Sequence, residues 1–492
     1  MATSLGPSGL YKLVSYYRGP ELVVKPTKDP VEVVRELSVE YPSVKILFEA
    51  AELHRMQVGD GVIRLLIALS SLFEKSEDLI ANGTNPNIIL DGFHEAEQEA
   101  RRAIDEAAKP FGPESSHKVL EVVDCGRNLV NAELRKAIAE AVRNSCVEGI
   151  PQLRRVRILK KIGGAIDASH VIHGIVCQKT KLHSSMDDVV AHPRIAVIAS
   201  GIGSPRLEVK FPKEGVFPFS LDISDERGVS RFKEEELKMK TDIVSHIAST
   251  GANVVICRSP IPDVVGGLMA GRRIFALSSV DVDDYDVIIA ATGAKPVGRA
   301  QDLEQSDLGG AERIETGKNG DLDIVTIFSE KASTILLRGG ISMAVDELER
   351  TVNASKTVAE LSIKSPKTVT GAGAIEMRVA RRMRERALKF SGRQQLAVLA
   401  FAESLEEIPT QLAVNFGLDP IDTMIELRRH HAEGRVDYGV LRDGCGDALE
   451  AGVVELGAVP KNLINRAYEL ALLMLRVDHL LFSTEIAKVH KK

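Results

Sequence analysis

Two helical zones at the chain ends, separated by a zone that mixes strands and helices, constrain the fold more than any other feature of this sequence. In residues 31–110 apolar side chains recur three and four positions apart, which is the period of an amphipathic helix. The same period returns from about residue 373 onward, whereas residues 190–340 alternate short β-rich runs with helical stretches. This order predicts a discontinuous helical domain with an α/β domain inserted into it.

The middle zone contains candidate strands and one charged helix. Strands are predicted at 195–199, 253–257, 287–289 and 334–337, and the charged helix is predicted at 232–247. Alternation of strand and helix favours a small α/β domain.

The helical zones carry their own start and stop residues. Asn82-Gly83 is predicted to end one helix and Pro86 to begin the next. Pro409 is expected to kink a helix in the C-terminal zone. A last long helix, apolar over much of its surface, is predicted from residue 463 to about residue 482.

Composition excludes several classes of protein. At 492 residues the chain is too long for one hydrophobic core, so two or three domains are expected. A net charge of −6 and the lack of Trp argue against a nucleic-acid-binding protein. No apolar run is long enough to span a membrane and the N-terminus lacks an apolar signal segment, so we expect a cytoplasmic protein with no membrane partner.

Cysteine and histidine residues predict no metal or redox site. The five cysteines are scattered without a C-x-x-C pair, which is typical of reduced core thiols; they are Cys125, Cys146, Cys177, Cys257 and Cys445. The pair His430-His431 has no ligand partner at metal spacing, so a solvated helix face is predicted there.

Common nucleotide-binding motifs do not fit. Residues 266–272 approach the spacing of a Walker A loop but end in Arg272 instead of lysine. Residues 200–203 follow a predicted strand, yet the third glycine of a dinucleotide turn is missing and Pro205 stands where its helix should open. An ordinary loop is the preferred interpretation.

Four other clusters are more informative together than alone. They are Leu5-Gly-Pro-Ser-Gly9, Thr27-Lys-Asp-Pro30, Val58-Gly-Asp-Gly61 and Gly371-Ala-Gly373. Glycine turns let backbone N–H groups close around phosphate oxygens, and neighbouring carboxylates can hold Mg²⁺. Each cluster alone is more often an ordinary turn, but their joint presence in both helical zones requires one domain to bring them together.

The clusters match motifs of the group II chaperonins, the family of the archaeal thermosome and the eukaryotic cytosolic chaperonin. Leu5-Gly-Pro-Ser-Gly9 is similar to that family's LGPKG, Thr27-Lys-Asp-Pro30 to TNDG, and residues 59–63 to GDGTT. Further segments resemble family signatures in the same order, so the chain resembles the family over nearly its whole length; they include residues 161–164, 250–257, 337–340, 345–350, 392–397, 402–409, 415–422, 452–455 and 475–478.

The resemblance implies a multidomain α/β fold of the chaperonin type. It implies a mostly helical equatorial domain built from both chain ends, a small intermediate domain, and an α/β apical domain with a helical lid protrusion, to which the 232–249 helix corresponds. The expected segments are equatorial 1–127, intermediate 128–182, apical 183–336, intermediate 337–372 and equatorial 373–492.

The resemblance also implies a function and a site. It implies a chaperonin subunit that binds unfolded client proteins, uses ATP and Mg²⁺, and joins chaperonin paralogues in a hetero-oligomeric double ring. The nucleotide-binding residues that it implies are Leu5, Gly6, Pro7, Asp60, Gly61, Gly371, Gly373, Gly417 and Glu455, with Asp60 also as metal ligand. Asp29 is a candidate remnant of the catalytic site.

Departures from the family motifs predict slow hydrolysis. The aspartate that orients the attacking water in the family corresponds to Ala354, and positioned general-base help contributes about 10²–10⁴-fold to a rate. Val62 and Ile63 replace two threonines of the GDGTT motif. Three further family positions are changed: Ser8 stands in place of the phosphate-loop lysine, Pro30 in place of the glycine after Asp29, and Ala372 in place of the central glycine of GGG.

Two alternatives remain at this point. The chain begins at the phosphate loop, so we expect it to lack the strand and helix that precede this loop in the family, whether by nature or through a misplaced start. A non-folding scaffold or regulatory chaperonin-like protein outside the ring is the alternative function. An ordinary chaperonin ATPase with a misplaced start is less favoured, because restored upstream residues would not replace Ala354.

Overall fold

The computed structural model describes residues 1–36, 41–112, 118–120, 130–202, 226–319 and 322–479. The helices are α1 Pro30–Glu36, α2 Pro42–Val58, α3 Val62–Ala81, α4 Pro86–Ala107, α5 Ala132–Asn144, α6 Glu226–Ser249, α7 Asp263–Gly271, α8 Val282–Thr292, α9 Ser342–Lys364, α10 Ala374–Ala387, α11 Arg393–Phe416, α12 Pro420–Ala432 and α13 Ala458–Met474. The strands are β1 Lys12–Arg18, β2 Glu21–Thr27, β3 Lys109–Pro110, β4 Val156–Ile162, β5 His170–His173, β6 Ile175–Cys177, β7 Val189–Ala191, β8 Arg194–Ile198, β9 Val254–Cys257, β10 Phe275–Leu277, β11 Gly309–Gly310, β12 Arg313–Asn319, β13 Leu322–Phe328, β14 Ser333–Gly339, β15 Lys367–Thr370, β16 Tyr438–Leu441, β17 Gly444–Asp447 and β18 Val454–Leu456.

The chain forms two compact units. Unit 1 consists of Met1–Arg143, Lys161–Ala168 and Arg338–Lys492, and unit 2 consists of Asn144–Lys160 and Ser169–Leu337. Unit 1 therefore takes most of its residues from the two ends of the chain. The finer division into equatorial, intermediate and apical segments stays a prediction.

The core of unit 1 is a helical layer centred on α11, which packs against α3, α4 and α10. Phe401 on α11 and Phe93 on α4 are fully buried, and their rings meet edge to face with centroids 5.5 Å apart. The helix continues through Pro409, which is itself buried. Helix α3 ends at Ala81 and α4 begins at Pro86, as the sequence predicts. This packing brings the N-terminal and C-terminal helices into one core.

Two four-stranded sheets lie in unit 2. One has the order β10–β9–β8–β11, with β8, β9 and β10 parallel, and the other has the order β6–β13–β12–β7 and is antiparallel. All four residues of β9 are buried, as is typical of a parallel strand covered on both faces. The strands predicted at 195–199, 253–257 and 334–337 are confirmed as β8, β9 and β14.

Three details of the predicted secondary structure are corrected or limited. The strand predicted at 287–289 is wrong, because these residues lie in helix α8, which has Asp283 and Asp284 in its first turn and Gly293 in the left-handed conformation at its end. A three-residue apolar run suits a buried helix face as well as a strand. The last helix spans Ala458–Met474, and its predicted end near residue 482 lies outside the described residues. The charged helix runs as α6, and its role as a lid stays a prediction.

The predicted solvated face at His430-His431 is also wrong. Both side chains are buried in α12: the His430 ring lies 4.4 Å from the Tyr438 ring, and His431 Nε2 lies 2.8 Å from the Tyr438 carbonyl oxygen. Burial lowers the pKa of His431. These histidines hold α12 against strand β16 instead of facing solvent.

Candidate functional site

Unit 1 contains a cleft of about 760 Å³ that collects residues from distant parts of the chain. Its lining comes from the N-terminal turn, the segments around α1, α2 and α3, one face of α9, the turn before α10, the end of α11 and the β16–β18 region. The lining residues are Ser4–Ser8, Lys28–Pro30, Glu32, Arg55, Met56, Gly59–Arg64, Arg350, Asn353, Ala354, Thr357, Gly371–Gly373, Leu412, Phe416, Val440–Arg442, Val453 and Glu455.

Two helices begin at this cleft, each after a glycine in the left-handed conformation. Gly61 precedes α3 with φ 83°, and Gly373 precedes α10 with φ 80°. A Cβ on Gly61 would lie 2.9 Å from Val459 Cγ1, so any larger residue at position 61 would require the Val459 side chain to shift. The first four N–H groups of a helix have no intrahelical acceptor and carry partial positive charge. The cleft thus offers two helix N-termini to an anion.

The N-terminal turn forms another wall of the cleft. Gly6 has φ 76°, and a Cβ there would lie 2.7 Å from Leu412 Cδ2 on α11. The Asn415 side chain donates hydrogen bonds to the carbonyl oxygens of Leu5 and Ala2, at 2.9 and 3.1 Å. These bonds hold the turn against α11, so Leu5, Gly6 and Pro7 line the cleft.

Asp29 lies in the cleft but has both carboxylate oxygens engaged. Its Oδ1 accepts a hydrogen bond from the Val31 N–H at 2.9 Å, and its Oδ2 lies 2.6 Å from Arg55 Nη1. Asp29 therefore caps the start of α1 and pairs with an arginine.

Arg64, in the first turn of α3, lies between two buried glutamates. Its Nη1 lies 2.8 Å from Glu455 Oε1 and 3.1 Å from Glu376 Oε1, and its Nη2 also binds Glu455 Oε2. The side chains of Arg64, Glu376 and Glu455 are only 12%, 3% and 3% exposed. Burial raises the pKa of Glu455 to about 7, with Glu376 and Asp60 adding to the rise and Arg64 opposing it.

The position implied for the catalytic base lies in the cleft and carries no acid. Helix α9 packs so closely on the turn before α3 that a Cβ on Gly59 would lie 2.8 Å from the Ala354 carbonyl oxygen. Ala354 and its neighbour Asn353 both line the cleft. The side chain at 354 is a methyl group, which can neither accept a proton nor orient a water molecule.

The structure brings nearly all the residues implied by the resemblance together. Gly417 is not among the lining residues; it ends α11 with φ 80°, directly after the lining residue Phe416. Sequence reasoning missed Arg55, Arg64, Arg350 and Arg442. Arg64 directly follows the Gly59–Ile63 motif, so its place in the first turn of a helix could have indicated it.

The cleft fits a nucleotide better than a magnesium ion. Its two helix N-termini and glycine turns suit phosphate oxygens, and its apolar walls offer room for a base. Asp29 and Glu455 already bind arginines, and no group of three or more His, Cys, Asp or Glu side chains suited to a metal occurs among the described residues. None of the helices in the described part of the chain combines the length and the apolar character of a membrane-spanning segment.

Comparison with known proteins gives a consistent match. The model of the TCP-1/cpn60 chaperonin family matches residues 1–485. The chain is 34% identical over 491 residues to thermosome subunit beta of Thermoplasma acidophilum, covering 97% of this chain and 88% of that protein. It is also 34% identical over 503 residues to the thermosome subunit of Methanopyrus kandleri, covering 99% of this chain and 90% of that protein.

Proposed function

This chain belongs to the TCP-1/cpn60 chaperonin family, as a group II member, and we propose that its cleft in unit 1 binds ATP but hydrolyses it slowly or not at all. It is a chaperonin subunit that takes part in protein folding. The observation that carries the proposal is the cleft itself, in which the glycine turns and two helix N-termini meet around Ala354.

Nucleotide binding is testable at the edge of the cleft. Arg442, in the turn between β16 and β17, is exposed and lines the cleft. Arg442→Glu should weaken binding of a non-hydrolysable ATP analogue about tenfold, because a positive charge in the lining of the cleft becomes negative and repels the anionic nucleotide. Titration calorimetry measures the change.

The matched control is Lys389→Glu, which makes the same charge reversal at an exposed residue that does not line the cleft. It should leave the affinity unchanged. If the parent protein produces no heat of binding up to millimolar nucleotide, the proposed nucleotide site is wrong.

We further propose that unit 2 binds unfolded client proteins through the exposed apolar side chains of α6 and α7. Leu237 and Met239 on α6 are 49% and 51% exposed, and Val264 on α7 is 51% exposed. Client binding needs exposed apolar surface and no catalytic group, so the changes at Ala354, Val62 and Ile63 do not affect it.

The intact chain should therefore slow the aggregation of a chemically denatured test protein. Replacing both Leu237 and Met239 by serine should remove most of this effect, because it removes apolar contact area from α6. Light scattering measures the aggregation rate.

The control replaces Val189 and Val282 by serine. These side chains are 55% and 48% exposed elsewhere in unit 2, and the control should retain the effect. A parent chain without effect at molar excess contradicts client binding.

The proposed assembly is a hetero-oligomeric double ring with chaperonin paralogues. Similar proteins include thermosome subunits named alpha and beta in one organism, Thermoplasma acidophilum. In unit 1 the β1–β2 hairpin exposes apolar side chains that suit a subunit contact, among them Leu13, Tyr17 and Leu22 at 71%, 75% and 54%. The cytoplasmic location and the equatorial, intermediate and apical division are parts of this same proposal.

A further inference from the structure

The carboxylates of the cleft are mostly neutralised by basic side chains of the protein. Asp29 uses one oxygen on the Val31 N–H and the other on Arg55. Glu455 has both oxygens on Arg64. Both oxygens of each of these two carboxylates already accept a hydrogen bond or pair with an arginine, so a metal ion would have to compete with these partners.

Both carboxylate oxygens of Glu32 are likewise paired with basic side chains. Its Oε2 lies 2.7 Å from Lys25 Nζ, and its Oε1 lies 3.0 Å from Arg35 Nη1. The remaining lining carboxylate is Asp60, for which no ion pair is found among the described residues. Burial opposes the rise in the pKa of Arg64, which comes mainly from Glu455 and Glu376, and the charge of Asp60 adds a smaller contribution.

This arrangement provides few oxygen ligands for a magnesium ion. The ion prefers six oxygen ligands in octahedral geometry and in nucleotide sites takes one or two carboxylates together with water and phosphate. Val62 and Ile63, in the first turn of α3, have no hydroxyl group to add. Arg64 places a permanent positive charge in the same turn, and its repulsion of a divalent cation disfavours the site further.

For an anion, by contrast, the charged side chains that line the cleft are not acidic overall. Five basic side chains line the cleft against four carboxylates; the basic ones are Lys28, Arg55, Arg64, Arg350 and Arg442, and the carboxylates are Asp29, Glu32, Asp60 and Glu455. Arg64, although it is paired with Glu376 and Glu455, lies in the first turn of α3, beside the helix N-terminus where phosphate oxygens are favoured.

We propose that the cleft binds the nucleoside triphosphate as a metal-free anion, with Arg64 supplying the fixed positive charge that a divalent metal would otherwise bring. This inference rests on the proposed nucleotide site. The ligand class is a polyphosphate nucleotide without its magnesium ion, and Asp60 is a carboxylate of the cleft lining rather than a metal ligand.

The test compares the affinity of the full chain for a non-hydrolysable ATP analogue in excess Mg²⁺ and in excess EDTA, by titration calorimetry. The dissociation constant in EDTA should be equal to or smaller than that in Mg²⁺, because excess Mg²⁺ complexes the free analogue and so competes with the cleft for it. A dissociation constant more than about threefold larger in EDTA than in Mg²⁺ overturns the inference and leaves the proposed nucleotide site standing. No binding in either buffer overturns both, so the two failures are distinguishable.

A double variant tests the role given to Arg64. Arg64→Thr with Glu376→Gln removes the guanidinium and one of its two buried partners, and it leaves Glu455 and Asp60 as carboxylates beside a new hydroxyl group. This variant should bind the analogue at least about tenfold more tightly in Mg²⁺ than in EDTA, because oxygen ligands become available to the ion. A folded variant that binds the analogue no more tightly in Mg²⁺ than in EDTA shows that Arg64 does not replace the ion.

The matched control is Arg101→Thr with Glu97→Gln, which removes an ion pair of α4 outside the cleft with the same two kinds of substitution. Like the parent chain, it should bind the analogue no more weakly in EDTA than in Mg²⁺. Circular dichroism shows whether each variant folds. If the Arg64 variant does not fold, the affinities of the parent chain in Mg²⁺ and in EDTA still decide the inference.

Discussion

Ala354→Asp should raise the steady-state rate of phosphate release from ATP by about 10²-fold, the low end of the 10²–10⁴ range for a positioned general base. Ala354 lines the cleft on helix α9, at the position where the resemblance implies the water-orienting aspartate. The low end is expected because Val62 and Ile63 still lack hydroxyl groups. The parent chain should release phosphate close to the rate of ATP in buffer.

The control for this gain lies one residue away. Asn353→Asp adds the same carboxylate to the same helix, also in the cleft, but turned by about 100° around the helix axis. It should leave the rate near that of the parent chain. Equal gains at 353 and 354 would show a general effect of negative charge, and no gain at 354 would remove the role assigned to that position. Rapid hydrolysis by the parent chain would contradict the proposed loss of activity.

Arg64→Leu should lower the free energy of unfolding by about 3–5 kcal/mol, the range for removing one partner of a buried ion pair. The substitution leaves Glu376 and Glu455 buried without their cation, and each of these side chains is only 3% exposed. Chemical denaturation followed by circular dichroism measures the loss. Replacing both glutamates by glutamine in the Arg64→Leu background should restore most of the stability, because the unpaired buried charges are then gone.

An exposed ion pair provides the comparison. Arg466 lies 2.9 Å from Glu469 on α13, with Glu469 60% exposed. Arg466→Leu should cost less than about 1 kcal/mol, since solvent screens such pairs. If Arg64→Leu costs no more than this, the buried triad does not stabilise unit 1 as its burial indicates.

The cleft shows which parts of a site local sequence can predict. Leu5–Pro7, Asp60–Gly61 and Gly371–Gly373 lie in turns whose glycine and proline content marks them in the sequence, and the structure places all of them in one cleft. Gly6, Gly61 and Gly373 have left-handed φ values, which favour glycine, so part of this backbone conformation is predictable from the residues themselves. The loss of a carboxylate at Ala354 is equally visible without a structure.

The pairing of Arg64 could not be predicted in this way. Its partners Glu376 and Glu455 lie 312 and 391 residues away in the sequence, and only the packing of α3 against the C-terminal half of unit 1 brings them within hydrogen-bond distance. The same holds for Asp29, whose place in the sequence suggests a catalytic remnant but which caps α1 and binds Arg55.

The sequence by itself determined the family, the helical zones at the chain ends around an α/β zone, and the motifs that line the cleft, because repeating apolar periods and turn residues act over a few neighbouring positions. Only the tertiary structure decided that residues 287–289 are helical, that His430 and His431 are buried, and that arginines occupy the carboxylates of the cleft. Each of these depends on burial or on charge pairing between segments far apart in the chain, and desolvation and Coulomb energies follow distance in space rather than separation in sequence.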